Sequence, residues 1–369
     1  MAAVSLPPKP GLGRKIANPG HVCLVMLSRN ALLSAMSLLA ATHQHASPPP
    51  PDWPEGVTEL RIRSTADGSD QPALTWSPTG EEARPLLVGL HTWGGDYRQT
   101  SNGAVFARWC MAQGWHFVFP HFRGPNRTPE ALGSDLAVQD IADAVAHLRR
   151  TQPVDADRIY LIGASGGGHM AMLMAGRHPD LWAGVSAWVG ISDVAAWHAE
   201  HLKEGHPDNY ARNIEAALGG PPDTPERLAE ARRRSPLSWL HGARGVNLDL
   251  HHGLHDGRTG SVPFRHSLLA FNAAADESDR LDPTEIEAFY ASQTRPSGWP
   301  AAAADPLYGN IALHFRRESG QVRVTIFEGG HEILYTPGLN WLAAQRRGHN
   351  AVWRIDTLIP VAGDTASGR

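Results

Sequence analysis

Along residues 57–63 and 73–76 apolar and polar side chains alternate, the period of strands with one face on a core and one in water. Asp67 and Gly68 between them give a turn signal, so the two segments read as an antiparallel pair. From Pro85 to Leu90 the alternation stops and the run is continuously apolar, as in a strand buried on both faces. Residues 115–119, 158–162, 184–189 and 322–327 share that character, and 246–250 shares it more weakly. Between these runs the period lengthens. Leu136, Val138, Ile141, Val145 and Leu148 fall near one face of a helix expected over 135–149. Further helices are expected over 167–177 and 263–275. Strands alternating with helices predict an α/β fold, a mostly parallel sheet covered on both faces. In such sheets ligands bind at the carboxyl ends of the strands, so the residues just after each apolar run are the functional candidates.

The first fifty residues follow another pattern. After Met26 come Arg29, an apolar run over 31–41, and a tetraproline from Pro48 to Pro51. This order predicts a secretory signal peptide cut near Ala46. The apolar run is shorter than the ~20 residues of a bilayer span. Met1 to Val25, with Lys9, Arg14 and Lys15, makes a long basic lead, which suggests a start at Met26; a disordered cytoplasmic tail is the alternative. We therefore expect signal peptide and Pro-rich segment over 1–51, one domain over 52–356 with insertions at about 192–244 and 276–320, and a tail over 357–369. A secreted or periplasmic location follows. With 369 residues, 42% hydrophobic and 19% charged, the composition is that of an ordinary globular protein. A net charge of -4 offers no surface for a polyanion, so nucleic acid is not an expected partner. Cys23 and Cys110 are too few for a disulfide framework or a cysteine-rich zinc module. Cys110, in an apolar helical stretch, is expected to be a buried hydrophobe.

One of the buried runs leads directly into Gly163-Ala164-Ser165-Gly166-Gly167 and then into a helical segment. With 37 glycines in the chain the five-residue pattern is weak by itself, but a strand before it and a helix after it give it meaning. Glycines two residues either side of the serine allow strand and helix to approach, and the turn lifts the hydroxyl out of the sheet. Ser165 is the candidate nucleophile. A serine needs a general base, and the base an orienting carboxylate. His331, in a glycine turn after the last buried run, is the candidate base, with His169 and His349 as competitors. Asp256, in the loop after 246–250, is the candidate acid, with Asp193 as the alternative; Asp249, within the strand, is expected to be structural. The oxyanion hole would use the N–H groups of Gly166 and of Trp93 (or Thr92) in the loop after Leu90. His91 is expected to bond that loop's backbone. His251, His252, His255 and Asp256 carry zinc-type donors, yet without a helical His-Glu-x-x-His spacing no metal is expected. No other cofactor is implied.

Three segments together resemble the prolyl-oligopeptidase-like branch of the α/β-hydrolases: residues 157–167 around the serine, 253–264 around Asp256, and 327–331. The resemblance covers roughly Pro85 to Leu342. It implies an α/β-hydrolase fold and a serine hydrolase with Ser165, Asp256 and His331 as its triad. His91-Thr92-Trp93-Gly94-Gly95 is similar to the His-Gly-Tyr-x-Gly loop of acetyl xylan and cephalosporin esterases. Too few residues precede Leu86 for the β-propeller of true prolyl oligopeptidases, which favours an esterase. The insertions are expected to lie over the strand ends and shape the pocket. Of 12 tryptophans, Trp93, Trp188, Trp197, Trp239 and Trp299 lie in or near loops at that face and could stack on sugar rings. Arg123, after another buried run, would either bind a substrate carboxylate or brace its loop. The favoured reading is a secreted carbohydrate (acetyl-type) esterase acting on a small-molecule or polysaccharide ester. A secreted oligopeptidase or aminopeptidase, and a carbohydrate-binding protein on a hydrolase scaffold, are the alternatives. Oligomeric state stays open.

Overall fold

The continuously apolar runs become the centre of a nine-stranded sheet. In chain order the strands are β1 (Thr58–Arg63), β2 (Asp70–Trp76), β3 (Arg84–Leu90), β4 (His116–Pro120), β5 (Val154–Ala164), β6 (Gly184–Trp188), a separate small hairpin of β7 (Leu202–Lys203) and β8 (His206–Pro207), then β9 (Leu248–Gly253), β10 (Leu313–Ser319) and β11 (Val322–Phe327). The sheet order is β1-β2-β4-β3-β5-β6-β9-β11-β10. The six strands from β4 to β11 pair in parallel; β1 and β2 at one edge and β10 at the other are antiparallel. The computed structural model describes residues 52–361, all within one compact unit. The expected signal peptide and Pro-rich segment, residues 1–51, lie outside them. No helix among the described residues is long and apolar enough to cross a membrane.

Helices α1 (Thr100–Gln113), α2 (Asp135–Thr151), α3 (Gly166–Arg177), α4 (Val194–Glu200), α5 (Asn209–Leu218), α6 (Pro225–Arg233), α7 (Arg265–Ala274), α8 (Pro283–Ser292) and α9 (Tyr335–Ala343) surround the sheet. Their ends follow local chemistry. The Ser134 side chain accepts the Ala137 N–H to start α2, and Gly114 closes α1 at a φ of 64°. Successive residues of one strand serve opposite faces. Leu86, Val88 and Leu90 of β3 belong to the core on the α3 face, while Leu87 belongs to the core on the α1 face. Burial on both faces is the reason these strands show no polar alternation.

Three elements depart from the sequence reading. Strand β10 lies in the second expected insertion; its segment Leu-His-Phe-Arg-Arg-Glu-Ser is too polar to read as a buried strand, because it is a sheet edge. That insertion contributes an edge strand and α8 rather than a wall of the pocket described below. The first residues of the expected tail also pack on the fold, continuing contacts made just before it. Trp353, Ile355, Ile359 and Val361 pack on the α1/α9 core, and the Asn340 side chain bonds both N–H and C=O of Ile359.

Candidate active site

Strand β5 ends at Ala164 and α3 begins at Gly166, leaving Ser165 alone in the turn at φ 57°, ψ -119°. A non-glycine residue there is strained, and here the surrounding packing holds it. A Cβ on Gly163 would lie 2.4 Å from the Gly167 carbonyl oxygen, and one on Gly167 2.8 Å from that of Leu90. Only glycine fits at either position, so the serine sits at the start of α3, where helix N–H groups lack intrahelical acceptors.

The loop after β3 packs against this turn. A Cβ on Gly166 would meet the Trp93 nitrogen at 2.6 Å, so the Trp93 N–H lies beside the first turn of α3. The loop is braced by Gln99, which accepts from Thr92 N at 2.8 Å, and by buried Asn126, whose Nδ2 donates to the Trp93 carbonyl at 3.3 Å. The Asn126 backbone N–H donates to the same carbonyl at 3.0 Å. His91 is fully buried, within hydrogen-bond distance of the Thr92 and His121 carbonyls and stacked on Phe122.

Asp256 follows β9, and His331 lies in the turn between β11 and α9. The Nδ1 of His331 is 2.6 Å from Asp256 Oδ2. Asp256 is fully buried, and its Oδ1 accepts the N–H groups of Gly257 at 2.9 Å and Val262 at 3.0 Å. Burial pushes its pKa up, but hydrogen bonds from His252 and His331 outweigh that and hold the carboxyl well below the usual range. A Cβ at Gly260 would come within 2.2 Å of Asp256 Oδ1 and 2.7 Å of the His331 Cβ, so glycine is needed to close this loop over the pair.

Ser165 and His331 open on one cavity of about 650 Å³, lined also by Thr92, Trp93, Asn102, Asn213 and Tyr210. Among the described residues no hydrogen bond joins Ser165 to His331; the Nε2 of His331 is 3.5 Å from Ser261 Oγ. Such contacts are often long before substrate binds.

The other candidates fall elsewhere. Arg123 does not line the cavity: its guanidinium is held by Asp140, Asp67, Ser64 and Ser69, so it braces its loop. Trp188 and Trp197 are corrections to the stacking expectation, since both are fully buried. Trp188 lies flat on His251 at 3.8 Å, and Trp197 donates its indole N–H to the Ser261 carbonyl at 2.8 Å. Asp193 caps α4, Asp249 pairs with buried Arg323, and His169 donates into the Ile191 carbonyl inside the fold. His349 is exposed. The histidines of the 251–255 segment diverge: His251 reaches Tyr308, His252 reaches Asp256, and His255 reaches Glu328. Sequence reasoning missed Ser261, Asn126 and the cavity residues Asn209, Tyr210 and Asn213 of α5. No local pattern marks them, because their positions depend on how distant segments pack.

The model of the prolyl oligopeptidase family matches residues 105–287. A putative esterase, NocK, of Nocardia uniformis subsp. tsuyamanensis is 32% identical over 126 residues, 31% of this chain and 35% of that protein. An uncharacterized peptidase, YtmA, of Bacillus subtilis is 28% identical over 155 residues, 38% of this chain and 56% of that one. An acetylxylan esterase of Coprinopsis cinerea is 27% identical over 156 residues, 39% of this chain and 41% of that one. The matches thus span about a third to a little over half of these relatives' own length. With a mostly parallel sheet, a serine in the turn after its fifth strand and this family match, the chain has the α/β-hydrolase fold and resembles the prolyl oligopeptidase family of serine hydrolases over residues 105–287.

Proposed function

We propose that the protein is a secreted serine esterase that removes an acyl group, of acetyl type, from a carbohydrate. The observation that carries this reading is the cavity shared by Ser165, in its strained turn, and His331, whose Nδ1 is bonded to buried Asp256. The Ser165 Oγ attacks the ester carbonyl carbon while its proton passes to His331 Nε2. The resulting oxyanion is received by the N–H groups of Gly166 and Trp93. The carbon–oxygen bond to the alcohol then breaks, and the alcohol leaves with the proton from His331. Water attacks the acyl-enzyme, gives a proton to His331, and releases the carboxylic acid as Ser165 recovers its own. Asp256 holds the ring in the tautomer that leaves Nε2 free to accept, and stabilises the imidazolium formed on the way.

The cavity lining supports a hydroxyl-rich substrate that carries no negative charge. It presents amides from Asn102, Asn209 and Asn213, hydroxyls from Thr92, Ser101, Tyr210 and Tyr335, one carboxylate, Glu332, and among the described residues no Lys or Arg. Likeness to an acetylxylan esterase and a putative esterase points the same way. Likeness to an uncharacterized peptidase keeps a peptide bond as the second reading. Hydrolysis of p-nitrophenyl acetate against an aminoacyl p-nitroanilide separates the two. For Ser165→Ala we expect a loss of more than about 10³-fold in kcat on the preferred substrate. Equal rates for wild type and variant would remove Ser165 as nucleophile, and cleavage of the anilide alone would replace esterase by peptidase. Secretion is checked by N-terminal sequencing of protein recovered outside the cytoplasm, with a new terminus expected near Ala46.

A further inference from the structure

Asp256 is approached by two histidines, and only one of them faces the cavity. His331 Nδ1 and His252 Nε2 both lie on the same carboxylate oxygen, Oδ2, at 2.6 and 3.0 Å. His252 is fully buried on β9 and does not line the cavity. We propose that His252 is a positioning residue for the hydrolytic reaction: it pins the carboxylate that orients His331 and never touches substrate.

The protons on the ring can be assigned from its neighbours. The Nε2 of His252 faces two groups that only accept, Asp256 Oδ2 and the Val262 carbonyl at 3.0 Å. It therefore carries the hydrogen and shares it between them. Burial lowers the pKa of His252 and keeps the ring neutral, so its Nδ1 is an acceptor. The partner there is the buried Ser267 hydroxyl at 2.8 Å, which donates. Ser267 thereby fixes the tautomer that His252 needs to donate to Asp256.

This completes the carboxylate's shell. Oδ1 receives the N–H groups of Gly257 and Val262, and Oδ2 receives those of His252 and His331. An ionised carboxylate has about four acceptor sites, and all four are used. Rotation of the group would break at least two bonds to a fully buried carboxylate, which is costly. Without His252, Oδ2 keeps His331 as its one side-chain donor, and the carboxylate is free to tilt toward the vacated space. The imidazole it orients would then sample unproductive angles, and small misalignments at a reacting centre cost rate rather than binding.

The inference rests on the proposed reaction, so the experiment is built to separate the two. On the full chain, kcat and KM are measured for wild type, Ser165→Ala, His252→Leu, His252→Gln and Ser267→Ala, with thermal unfolding of each. The amide nitrogen of Gln reaches the position of the His Nε2, so it can still donate to Asp256. We expect His252→Leu to lose about 10- to 100-fold in kcat, the range expected when a hydrogen bond to a charged group is removed. KM should stay within about twofold, as uniform binding is untouched. Gln should recover most of the loss, and Ser267→Ala should fall between. Wild-type rates in a folded Leu variant, or a Gln variant as slow as Leu, would overturn the proposal. If Leu does not fold, Ser267→Ala decides, and an unchanged kcat there has the same force. Loss of the underlying reaction shows differently: Ser165→Ala would then match wild type.

Discussion

Single side chains in this protein are read best through their hydrogen-bond partners. His169 lies one turn after Ser165 and was a competitor for the base. Its ring is fully buried, with Nδ1 2.9 Å from the Ile191 carbonyl. Burial lowers its pKa from 6.5 to about 4. In the unfolded chain the same group takes a proton near pH 6.5. Its contribution to stability is therefore complete above that pH and is lost as pH falls toward about 4, where the folded state is also protonated. Replacing it by Asn, whose amide can keep the bond to Ile191, should flatten the pH dependence of urea unfolding between 6.5 and 4. The change expected is up to one proton, about 1.4 kcal/mol per pH unit. An unaltered slope would mean that His169 is protonated in the native state. The same reasoning from partners corrects Arg123. Its position after a buried strand allowed either a substrate carboxylate or a brace, and the carboxylates of Asp140 and Asp67 occupy it.

At the scale of elements, the turn between β5 and α3 is where local sequence and local structure coincide. Strand, turn and helix are contiguous, so apolar period and glycine spacing were enough to anticipate them. The backbone cost is concentrated at Ser165, and the close approach at Gly163 and Gly167. Gly163→Ala should place a methyl group against the Gly167 carbonyl and cost about 1–3 kcal/mol by overpacking. The urea midpoint of unfolding reads that loss, and labelling of Ser165 by an organophosphate should slow with it. An Ala variant with unchanged midpoint and labelling would show that the turn can open without penalty. Strand β10 is the counterexample. It is held by pairing with β11 along a sheet edge, and its polar segment Leu-His-Phe-Arg-Arg-Glu-Ser has no period that separates it from a loop.

For the whole molecule, the first insertion matters most. Its helices α4 and α5 pack through Trp197 and Ile214 onto Trp93 and Val262, which joins the insertion to the loop beside Ser165 and to the Asp256 loop. That packing delivers Asn209, Tyr210 and Asn213 to the cavity. Under the proposed function, Asn213→Ala should raise KM for an acetylated oligosaccharide by several-fold. It should leave kcat on p-nitrophenyl acetate near wild type, since that small ester does not need the insertion. Equal effects on both substrates would place Asn213 in a structural role. Sequence alone determined the alternation of buried strands with helices and the glycine-flanked serine, because each is written in neighbouring residues or in a period of two or 3.6. The tertiary structure decided the rest. It turned Trp188, Trp197 and Arg123 inward, set Ser261 against a histidine 70 residues away, and put two histidines on one oxygen of Asp256. Burial and long-range contact depend on what packs against a residue from distant parts of the chain, and no local pattern carries that information.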